Sequence, residues 1–297
     1  MNDNHKSGFV NIIGLPNVGK STLLNAILGQ KLAITSAKAQ TTRFRTLGIL
    51  NDENYQIIFS DTPGYIDNPA YKMQEEMNTY VQSTFEDADV FLFLTELGAS
   101  LDKQKDLYEP LKNSNIPILL VINKIDKAKE ENALKEYGKL WKEALPNAEI
   151  IFVSAKDNIN LFELKSSIIS LLPENPPFYN KEDLSDKNVR FFVTEIIREK
   201  LLELYKQEIP YSCHVEVEAY QEEEKLDRIR AIIYTERETQ KSIIIGKGGK
   251  AIKQLGTDAR KDIETFIDKK VYLELFVKVK PDWRNDERML KHFGYKE

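Results

Sequence analysis

The first part of the chain alternates short apolar runs with longer polar stretches. Between residues 9 and 172, six runs of strand length are rich in aliphatic and aromatic residues, namely FVNIIG, FRTLGIL, YQIIFSD, DVFLFLT, IPILLVIN and AEIIFVS. Several are apolar at nearly every position, which is typical of strands buried on both faces of a parallel sheet. The amphipathic stretches between them predict helices at 20–28, 71–85, 128–145 and 161–171. This alternation predicts an α/β domain with a doubly wound, mostly parallel sheet.

One pair of runs breaks the alternation. FRTLGIL and YQIIFSD are separated only by NDEN, which is rich in turn-forming residues and leaves no room for a helix. Such a short connection predicts an antiparallel hairpin, because parallel neighbours need a long crossover. We therefore expect one antiparallel strand in the sheet.

The pattern changes after residue 172. The segment LPENPPFYNKEDLSDKN combines prolines with charged residues and has no periodicity, which is typical of a linker. A long amphipathic helix follows, then two alternating strands, helices around a GKGG turn and a last strand, VYLELFVKVK. Strands with helices grouped on one side predict a small α+β domain. We thus predict domains at 1–172 and 189–297, joined by a linker at 173–188.

Length and composition agree with two domains that each bury a core. The chain has 297 residues, of which 41% are hydrophobic. Its single cysteine, Cys213, cannot form an internal disulfide, and neither a secretory signal nor an apolar run of about 18 residues is found. These features predict a reduced, cytoplasmic protein whose membrane contact could only be peripheral.

The charge is unevenly distributed. The net charge of −5 belongs to the first 180 residues, whereas the remainder of the chain is neutral. Within 237–261, however, seven basic residues accompany only two acidic ones. This local basic patch keeps nucleic-acid binding open, which the overall acidity would argue against.

The first motif with a clear chemistry is GLPNVGKS, at 14–21. It follows the run FVNII and opens a predicted helix, which is the context that a phosphate-binding loop requires. Glycines let backbone N–H groups wrap a polyphosphate at a helix N-terminus. The predicted loop consists of Gly14, Asn17, Val18, Gly19, Lys20, Ser21 and Thr22, in which Lys20 reaches the β- and γ-phosphates and Ser21 binds Mg²⁺. The alternative is a plain strand-to-helix turn.

Another motif, DTPG at 61–64, ends the run YQIIFSD. Its aspartate, Asp61, would lie at the carboxyl end of a strand, where doubly wound sheets bind ligands. We predict that Asp61 holds Mg²⁺ and that the Gly64 N–H faces the γ-phosphate.

Two later motifs predict which base is bound. In NKID, at 123–126, Asp126 can accept hydrogen bonds from both N1–H and the 2-amino group of guanine, which adenine does not present in that arrangement. Asn123 would brace the loop and the N7 edge, and the stem of Lys124 would lie along the ring. SAK follows the next strand and consists of Ser154, Ala155 and Lys156, with the Ala155 N–H directed to guanine O6. Four motifs in this order, each at a strand end, predict GTP.

The GKGG turn at 246–249 fits the G-x-x-G clamp by which KH domains hold about four single-stranded nucleotides. Lysines neutralise phosphates, and branched residues nearby could form an apolar floor for bases. The predicted RNA-binding residues are Ile245, Gly246, Lys247, Gly248, Gly249, Lys250 and Lys253, and the predicted floor is Ile243, Ile244, Ile245, Ile252 and Leu255. A helix-turn-helix corner with solvated lysines is the alternative.

These motifs together with QTTRFR and the GKGG-bearing second domain resemble the Era GTPases of bacteria, over essentially the whole chain. The resemblance implies a P-loop GTPase domain followed by a smaller α+β type II KH domain, with GTP or GDP and Mg²⁺ as ligands. It also implies binding near the 3′ end of 16S ribosomal RNA and a role in assembly of the 30S subunit. A monomer is expected, in the cytoplasm, with a further peripheral association at the inner face of the cell membrane.

The resemblance also assigns the switch residues. The polar segment 31–42 is expected to be a mobile switch, with a second switch at 64–77. Thr42 is favoured over Thr41 as the residue that joins Ser21 and Asp61 around Mg²⁺, and the implied catalytic set is Lys20, Thr42 and Gly64. Tyr65 stands where small signalling GTPases carry a water-orienting glutamine, so slow intrinsic turnover is expected. Asn17 matches a position at which some related GTPases bind K⁺.

Several alternatives stay open at this stage. A regulatory or membrane-associated GTPase could use a KH-like unit to contact protein, whereas a factor with two GTPase domains is excluded by the single phosphate loop. The tail KPDWRNDERMLKHFGY could contact RNA or form a packed terminal helix. His214 is expected on a strand surface, and His5 and His292 near the chain ends; their spacing suggests no metal site.

Overall fold

The computed structural model describes residues 5–36, 38, 40–128 and 130–296, which form two compact units. One unit contains the chain up to Asn68 together with Met77–Asp186, and the other contains Pro69–Glu76 together with the chain from Lys187. The predicted first switch includes residues 37 and 39, and the predicted helix at 128–145 includes residue 129. These three positions lie outside the described residues.

A six-stranded sheet forms the centre of the first unit. Its strands are β1 (Lys6–Ile13), β2 (Thr46–Asn51), β3 (Tyr55–Asp61), β4 (Val90–Glu96), β5 (Ile118–Asn123) and β6 (Glu149–Phe152). They lie in the order β2-β3-β1-β4-β5-β6. The β2–β3 pair is antiparallel and the other pairs are parallel, so both the hairpin and the mostly parallel sheet are confirmed.

Helices accompany this sheet, and all of them except the shortest were predicted. They are α1 (Lys20–Leu28), α2 (Lys72–Ser83), the short α3 (Lys105–Tyr108), α4 (Glu131–Ala144) and α5 (Leu161–Leu171). Successive residues of β4 enter different cores: Leu92 and Leu94 pack in one apolar cluster, and Phe91 and Phe93 pack in the other. Burial on both faces explains why this strand is apolar at nearly every position.

The segment predicted as a linker is hydrogen-bonded to the first unit. The Leu184 carbonyl accepts the Ile49 N–H at 2.9 Å, and the Ser185 hydroxyl donates to the Leu47 carbonyl at 2.5 Å. Ile49 and Leu47 both belong to β2, which is the outermost strand of the sheet. This segment therefore covers an edge that would otherwise leave backbone groups unpaired.

The second unit contains a three-stranded sheet. Its elements are α6 (Val189–Leu204), β7 (His214–Gln221), β8 (Asp227–Thr235), α7 (Glu238–Ile245), α8 (Lys250–Ile267), β9 (Val271–Val279) and α9 (Glu287–His292). Central β8 pairs antiparallel with β7 and parallel with β9. Alternate residues of β8, Ile229, Ala231 and Ile233, pack in one core with Val193 of α6 and Leu255 of α8, which agrees with the predicted α+β arrangement.

The C-terminal tail packs against the second unit. Trp283 is fully buried, and its indole N–H donates to the Ser212 carbonyl at 2.9 Å. Phe293 stacks on the His214 ring with centroids 3.8 Å apart. The expectation that His214 lies on a strand surface is wrong, because the tail covers it and leaves only 5% of the residue exposed. In the described part of the chain, no helix has the length and apolarity to span a membrane.

Candidate nucleotide site and nucleic-acid groove

The GLPNVGKS loop connects β1 to α1 through unusual backbone angles. Asn17 has φ +65° and Gly19 has φ +104°, so the chain turns sharply just before the helix. Two of its glycines have no room for a side chain: a Cβ at Gly14 would lie 2.3 Å from the Leu94 carbonyl oxygen, and one at Gly19 would lie 2.4 Å from Asn123 Nδ2. Among the residues that the structure describes, no side chain caps the N-terminus of α1, so its first N–H groups can bind a ligand.

Lys20 occupies the middle of this loop. Its ammonium is buried and donates to the carbonyls of Gly14 at 2.9 Å and Leu15 at 3.0 Å. Burial lowers the pKa of Lys20 to about 8, although the charge of Asp61 opposes the shift. A polyphosphate beside the ammonium would favour its charged form, as expected for a phosphate-binding lysine.

Three oxygen-bearing side chains converge beside Lys20. The Ser21 hydroxyl donates to Asp61 Oδ2 at 2.8 Å and lies 3.0 Å from Thr42 Oγ1, which itself lies 3.5 Å from Asp61 Oδ2. Asp61 is fully buried, and its Oδ1 has no hydrogen-bond partner among the described residues. Burial raises the pKa of Asp61 to about 6, against the charge of Lys20 and the hydrogen bonds from both hydroxyls.

This cluster fits Mg²⁺. Hard divalent cations prefer oxygen ligands, and a cation would satisfy the unpaired Asp61 oxygen while favouring the ionised carboxylate. Thr42 lies in the cluster, whereas the Thr41 hydroxyl donates to the Lys38 carbonyl at 2.7 Å. The geometry thus agrees with the sequence-based preference for Thr42, and the residues that would hold Mg²⁺ are Ser21, Thr42 and Asp61.

Gly64 brings the DTPG motif against the phosphate loop. A Cβ at this position would lie 2.7 Å from the Pro16 backbone nitrogen, so no larger residue fits without a shift of the loop. The next residue, Tyr65, packs partly buried against the apolar core behind β4. Gly64 therefore lines the cavity that also contains Lys20 and Ser21, while Tyr65 contributes an apolar contact.

Eleven of the fifteen predicted nucleotide residues line two adjoining cavities of about 480 and 250 Å³, whereas Gly14, Val18, Asp61 and Ser154 line neither. Both cavities include Gly19, Thr22 and Lys124. The larger one also includes five residues of the first switch that were not among the predicted contacts, namely Ile34, Thr35, Ser36, Gln40 and Thr41. Their only sequence signal is their place in the polar segment after α1. The smaller one is lined by Gly19, Thr22, Asn123, Lys124, Asp126, Lys127, Ala155 and Lys156.

Asn123 connects the phosphate loop to the base-binding loops. Its Nδ2 donates to the Val18 carbonyl at 2.9 Å, and its Oδ1 accepts the Ala155 N–H at 3.0 Å. The bracing role predicted for Asn123 is therefore present. The Ala155 N–H was predicted to donate to guanine O6. In the structure it already donates to Asn123 Oδ1. A bond to guanine would therefore require this N–H to be shared between the two acceptors.

Asp126 and Lys124 are also held by neighbours. The Ser154 hydroxyl donates to Asp126 Oδ1 at 2.7 Å, which fixes the carboxylate at the smaller cavity. Lys124 donates to the Asn17 carbonyl at 2.6 Å and pairs with Glu96. Lys124 consequently connects the NKID motif to the phosphate loop. Its salt-bridge partner, Glu96, belongs to none of the predicted motifs.

The GKGG turn exposes its backbone in the second unit. Gly246, Gly248 and Gly249 have φ of +70°, +61° and +75°, and α8 starts directly afterwards without a side-chain cap. Ile245 precedes the turn as the last residue of α7. Lys247, Lys250 and Lys253 are solvent-exposed, and none of them pairs with an acidic side chain of the described residues.

A groove of about 380 Å³ lies between α8 and β9. Of the predicted floor residues, Ile252 lines it, whereas Ile244 and Leu255 are fully buried in the core. Strand β9 provides the opposite wall with Leu273 and Leu275, which the sequence reasoning did not include. The full lining is Ile252, Lys253, Gly256, Thr257, Arg260, Val271, Tyr272, Leu273 and Leu275.

Comparisons with known proteins agree with the two kinds of domain. A family model for the 50S ribosome-binding GTPase matches residues 9–124, and a KH domain model matches residues 208–284. GTPase Era of Nitrosomonas eutropha is 44% identical and covers 98% of each chain. GTPase Era of Clostridium kluyveri is 45% identical over 98% of this chain and 99% of its own.

Two solved structures are similar over nearly the whole chain. One is Era in complex with MgGDPNP and nucleotides 1506-1542 of 16S ribosomal RNA, which is 38% identical with a TM-score of 0.93 and covers 99% of this chain and 100% of its own. The other is a tyrosine variant of Aquifex aeolicus Era bound to GDP.AlF4-, which is 37% identical with a TM-score of 0.94 and covers 98% and 100%.

Proposed function

The chain belongs to the Era family of GTPases, and on that premise we propose that it couples GTP binding and hydrolysis to recognition of single-stranded 16S ribosomal RNA near its 3′ end. The action is proposed to serve assembly of the 30S ribosomal subunit. One observation carries the proposal: the same chain has GTP-binding motifs around one pair of cavities and a G-x-x-G turn whose lysines form no salt bridge with any described residue.

The chain's own groups have distinct tasks in hydrolysis. Backbone N–H groups of the phosphate loop and the Lys20 ammonium would bind the β- and γ-phosphates, and the Gly64 N–H would face the terminal phosphate. Mg²⁺, when held by Ser21, Thr42 and Asp61, would neutralise charge on the phosphate oxygens. Tyr65 offers no amide to orient water, so we expect slow intrinsic turnover.

Asn17 is proposed to bind K⁺ next to the phosphates. Asn17 lines the larger cavity, and its backbone carbonyl accepts a hydrogen bond from Lys124. A cation here would stabilise charge that develops during hydrolysis, as an arginine finger does in other GTPases. We expect GTP turnover to be roughly tenfold faster in KCl than in NaCl at equal ionic strength. This factor is well below the rate enhancement that arginine fingers supply in other GTPases.

Measurement of phosphate release in the two salts tests this cation site. Asn17→Gly is the matched variant, because glycine tolerates the positive φ while removing the side-chain oxygen. It should lose the stimulation by K⁺ and keep the rate seen in Na⁺. Equal turnover of the unmodified protein in both salts would remove K⁺ from the proposal.

The RNA part of the proposal rests on the groove and on the solved Era complex with 16S ribosomal RNA nucleotides. Crosslinking in cell extract, with a non-hydrolysable GTP analogue against GDP, followed by sequencing of the attached RNA, tests it directly. We expect reads concentrated at the 3′ end of 16S RNA and enriched with the GTP analogue. Reads spread over unrelated transcripts in both states would contradict the assignment.

The proposed RNA target also indicates where in the cell the protein acts. Since ribosomal subunits assemble in the cytoplasm, we propose that the protein acts there, as a monomer. A peripheral fraction at the inner face of the cell membrane is a further expectation of family resemblance. Fractionation of cells followed by detection of the protein in the soluble, ribosomal and membrane pellets would measure each share.

A further inference from the structure

The end of β4 places a carboxylate behind the base-binding loop. Glu96 is the last residue of this strand, and it lies opposite Asn123, the first residue of the NKID motif. The N–H that follows, that of Leu97, donates to the Asn123 carbonyl at 3.1 Å. The Glu96 carboxylate accepts a hydrogen bond from the Lys124 ammonium at 2.5 Å. The end of β4 is thus joined to the NKID motif through both the backbone and a side chain.

Lys124 is held at both its backbone and its ammonium. Its φ of +62° and ψ of 36° lie in the left-handed region, which residues with a Cβ rarely adopt. The ammonium has two partners, the Glu96 carboxylate and the Asn17 carbonyl of the phosphate loop, which accepts at 2.6 Å. The stem between these fixed points has little freedom. A guanine ring can therefore lie along it without the entropic cost of ordering a mobile side chain.

Glu96 reaches the nucleotide site only through this lysine. Lys124 lines both nucleotide cavities, whereas Glu96 lines neither. The side chain of Lys124 is 25% exposed and that of Glu96 is 37% exposed, so the ion pair is partly buried. Salt and water screen such a pair less than one at the open surface. The charge-assisted hydrogen bond consequently fixes the ammonium in one place.

A second carboxylate competes for the same ammonium. Asp126, which is predicted to read guanine, lines the smaller cavity together with Lys124. If Glu96 were absent, the lysine could pair with Asp126, and the carboxylate would then be less able to accept hydrogen bonds from the base. Glu96 thus has two effects on the site: it immobilises the lysine, and it keeps Asp126 available.

We propose that Glu96 is a positioning residue for guanine nucleotides, which holds the Lys124 ammonium against the phosphate loop and so slows nucleotide release. This inference rests on the base-binding role proposed for the NKID motif. It adds a residue outside the motifs that sets how long the nucleotide stays bound.

Stopped-flow release of a fluorescent GDP analogue tests the proposal. Glu96→Ala should release it about three- to tenfold faster than the unmodified protein, a factor between those of an exposed ion pair and a buried charged hydrogen bond. Glu96→Gln keeps an oxygen acceptor without the charge and should give an intermediate rate. High salt should narrow the difference between Glu96→Ala and the unmodified protein, because it screens the pair. The matched control is Glu109→Ala, which removes a similarly exposed partner of Lys112, 2.8 Å away, outside both cavities; it should keep the unmodified rate.

A double-mutant cycle shows whether Glu96 acts through the lysine. Lys124→Met keeps the stem but removes the ammonium, so adding Glu96→Ala to it should accelerate release no further. A merely structural role of Glu96 at the end of β4 would add to the effect of Lys124→Met. The inference is overturned if Glu96→Ala releases the analogue at the unmodified rate, if Glu109→Ala matches it, or if the two effects add.

The same measurement on Asp126→Asn separates this inference from the proposed function. Faster release of the GDP analogue from Asp126→Asn, together with an unmodified rate in Glu96→Ala, would reject the role of Glu96 alone. An unmodified rate in Asp126→Asn would instead reject the base-binding role of the NKID motif, and the role of Glu96 with it.

Discussion

Replacement of Asp126 by asparagine is expected to change the preferred nucleotide from GTP to xanthosine triphosphate. The carboxylate of Asp126 can accept from both N1–H and the 2-amino group of guanine, whereas an amide has one acceptor and one donor. The amide donor would face the 2-amino group of guanine but would match the 2-carbonyl of xanthine. Sites built on such bonds discriminate by about 10⁴-fold, so we expect the affinity ratio of the two nucleotides to shift by roughly that factor.

The geometry predicts that this variant keeps its local structure. Ser154 donates to Asp126 Oδ1, and asparagine retains an oxygen that can accept the bond. Competition with a fluorescent GDP analogue measures both affinities. The control is Asp157→Asn, which makes the same charge change at a carboxylate 3.5 Å from the same hydroxyl, in a residue that does not line the base cavity. Equal responses of the two variants, or an unchanged ratio in Asp126→Asn, would show that Asp126 does not read the base.

The convergence of the GTP-binding motifs at one edge of the sheet could largely be predicted from the sequence, because each motif is short and local. A phosphate loop needs only a few consecutive residues between a strand and a helix, and the carboxyl ends of parallel strands necessarily meet at one edge of the sheet. Asp61 and Asn123 each end a strand, so their motifs had to approach the loop. The pairing of Lys124 with Glu96 could not be foreseen, because it joins the last residue of β4 to the residue after β5, and the adjacency of these two strands depends on the packed sheet.

The groove between α8 and β9 was harder to predict, because it depends on which face of each helix packs against the sheet. Periodicity showed that α7 and α8 are amphipathic, but it did not show that Ile244 and Leu255 enter the core. The opposite wall of the groove comes from β9, far along the chain from the turn. The burial of His214 under Phe293 has the same origin, since alternation along a strand cannot reveal a tail that returns to cover its outer face.

The double replacement Gly248→Asp and Gly249→Asp is expected to abolish RNA binding while GTP binding persists. Two carboxylates at the turn would repel the phosphates that Lys247 and Lys250 attract, and their bulk would keep the sugar-phosphate from the backbone. The expected loss of RNA affinity is about 100-fold or more, equivalent to roughly 3 kcal/mol. Anisotropy with a 3′-end 16S RNA oligonucleotide measures the affinity for RNA, and calorimetry with a non-hydrolysable GTP analogue measures the affinity for the nucleotide.

The structure makes this variant a clean test of the clamp. A Cβ at Gly248 or at Gly249 would meet no atom within 4 Å, whereas one at Gly246 would lie 2.6 Å from Ala251, so the first two positions can be changed without a clash. Aspartate and asparagine both tolerate the positive φ found there. The matched control is therefore the double asparagine variant, which adds similar bulk without charge and should retain more affinity, especially at high salt. RNA affinity that stays unchanged in the aspartate variant would mean that the GKGG turn does not hold the phosphates, even if the chain binds RNA elsewhere.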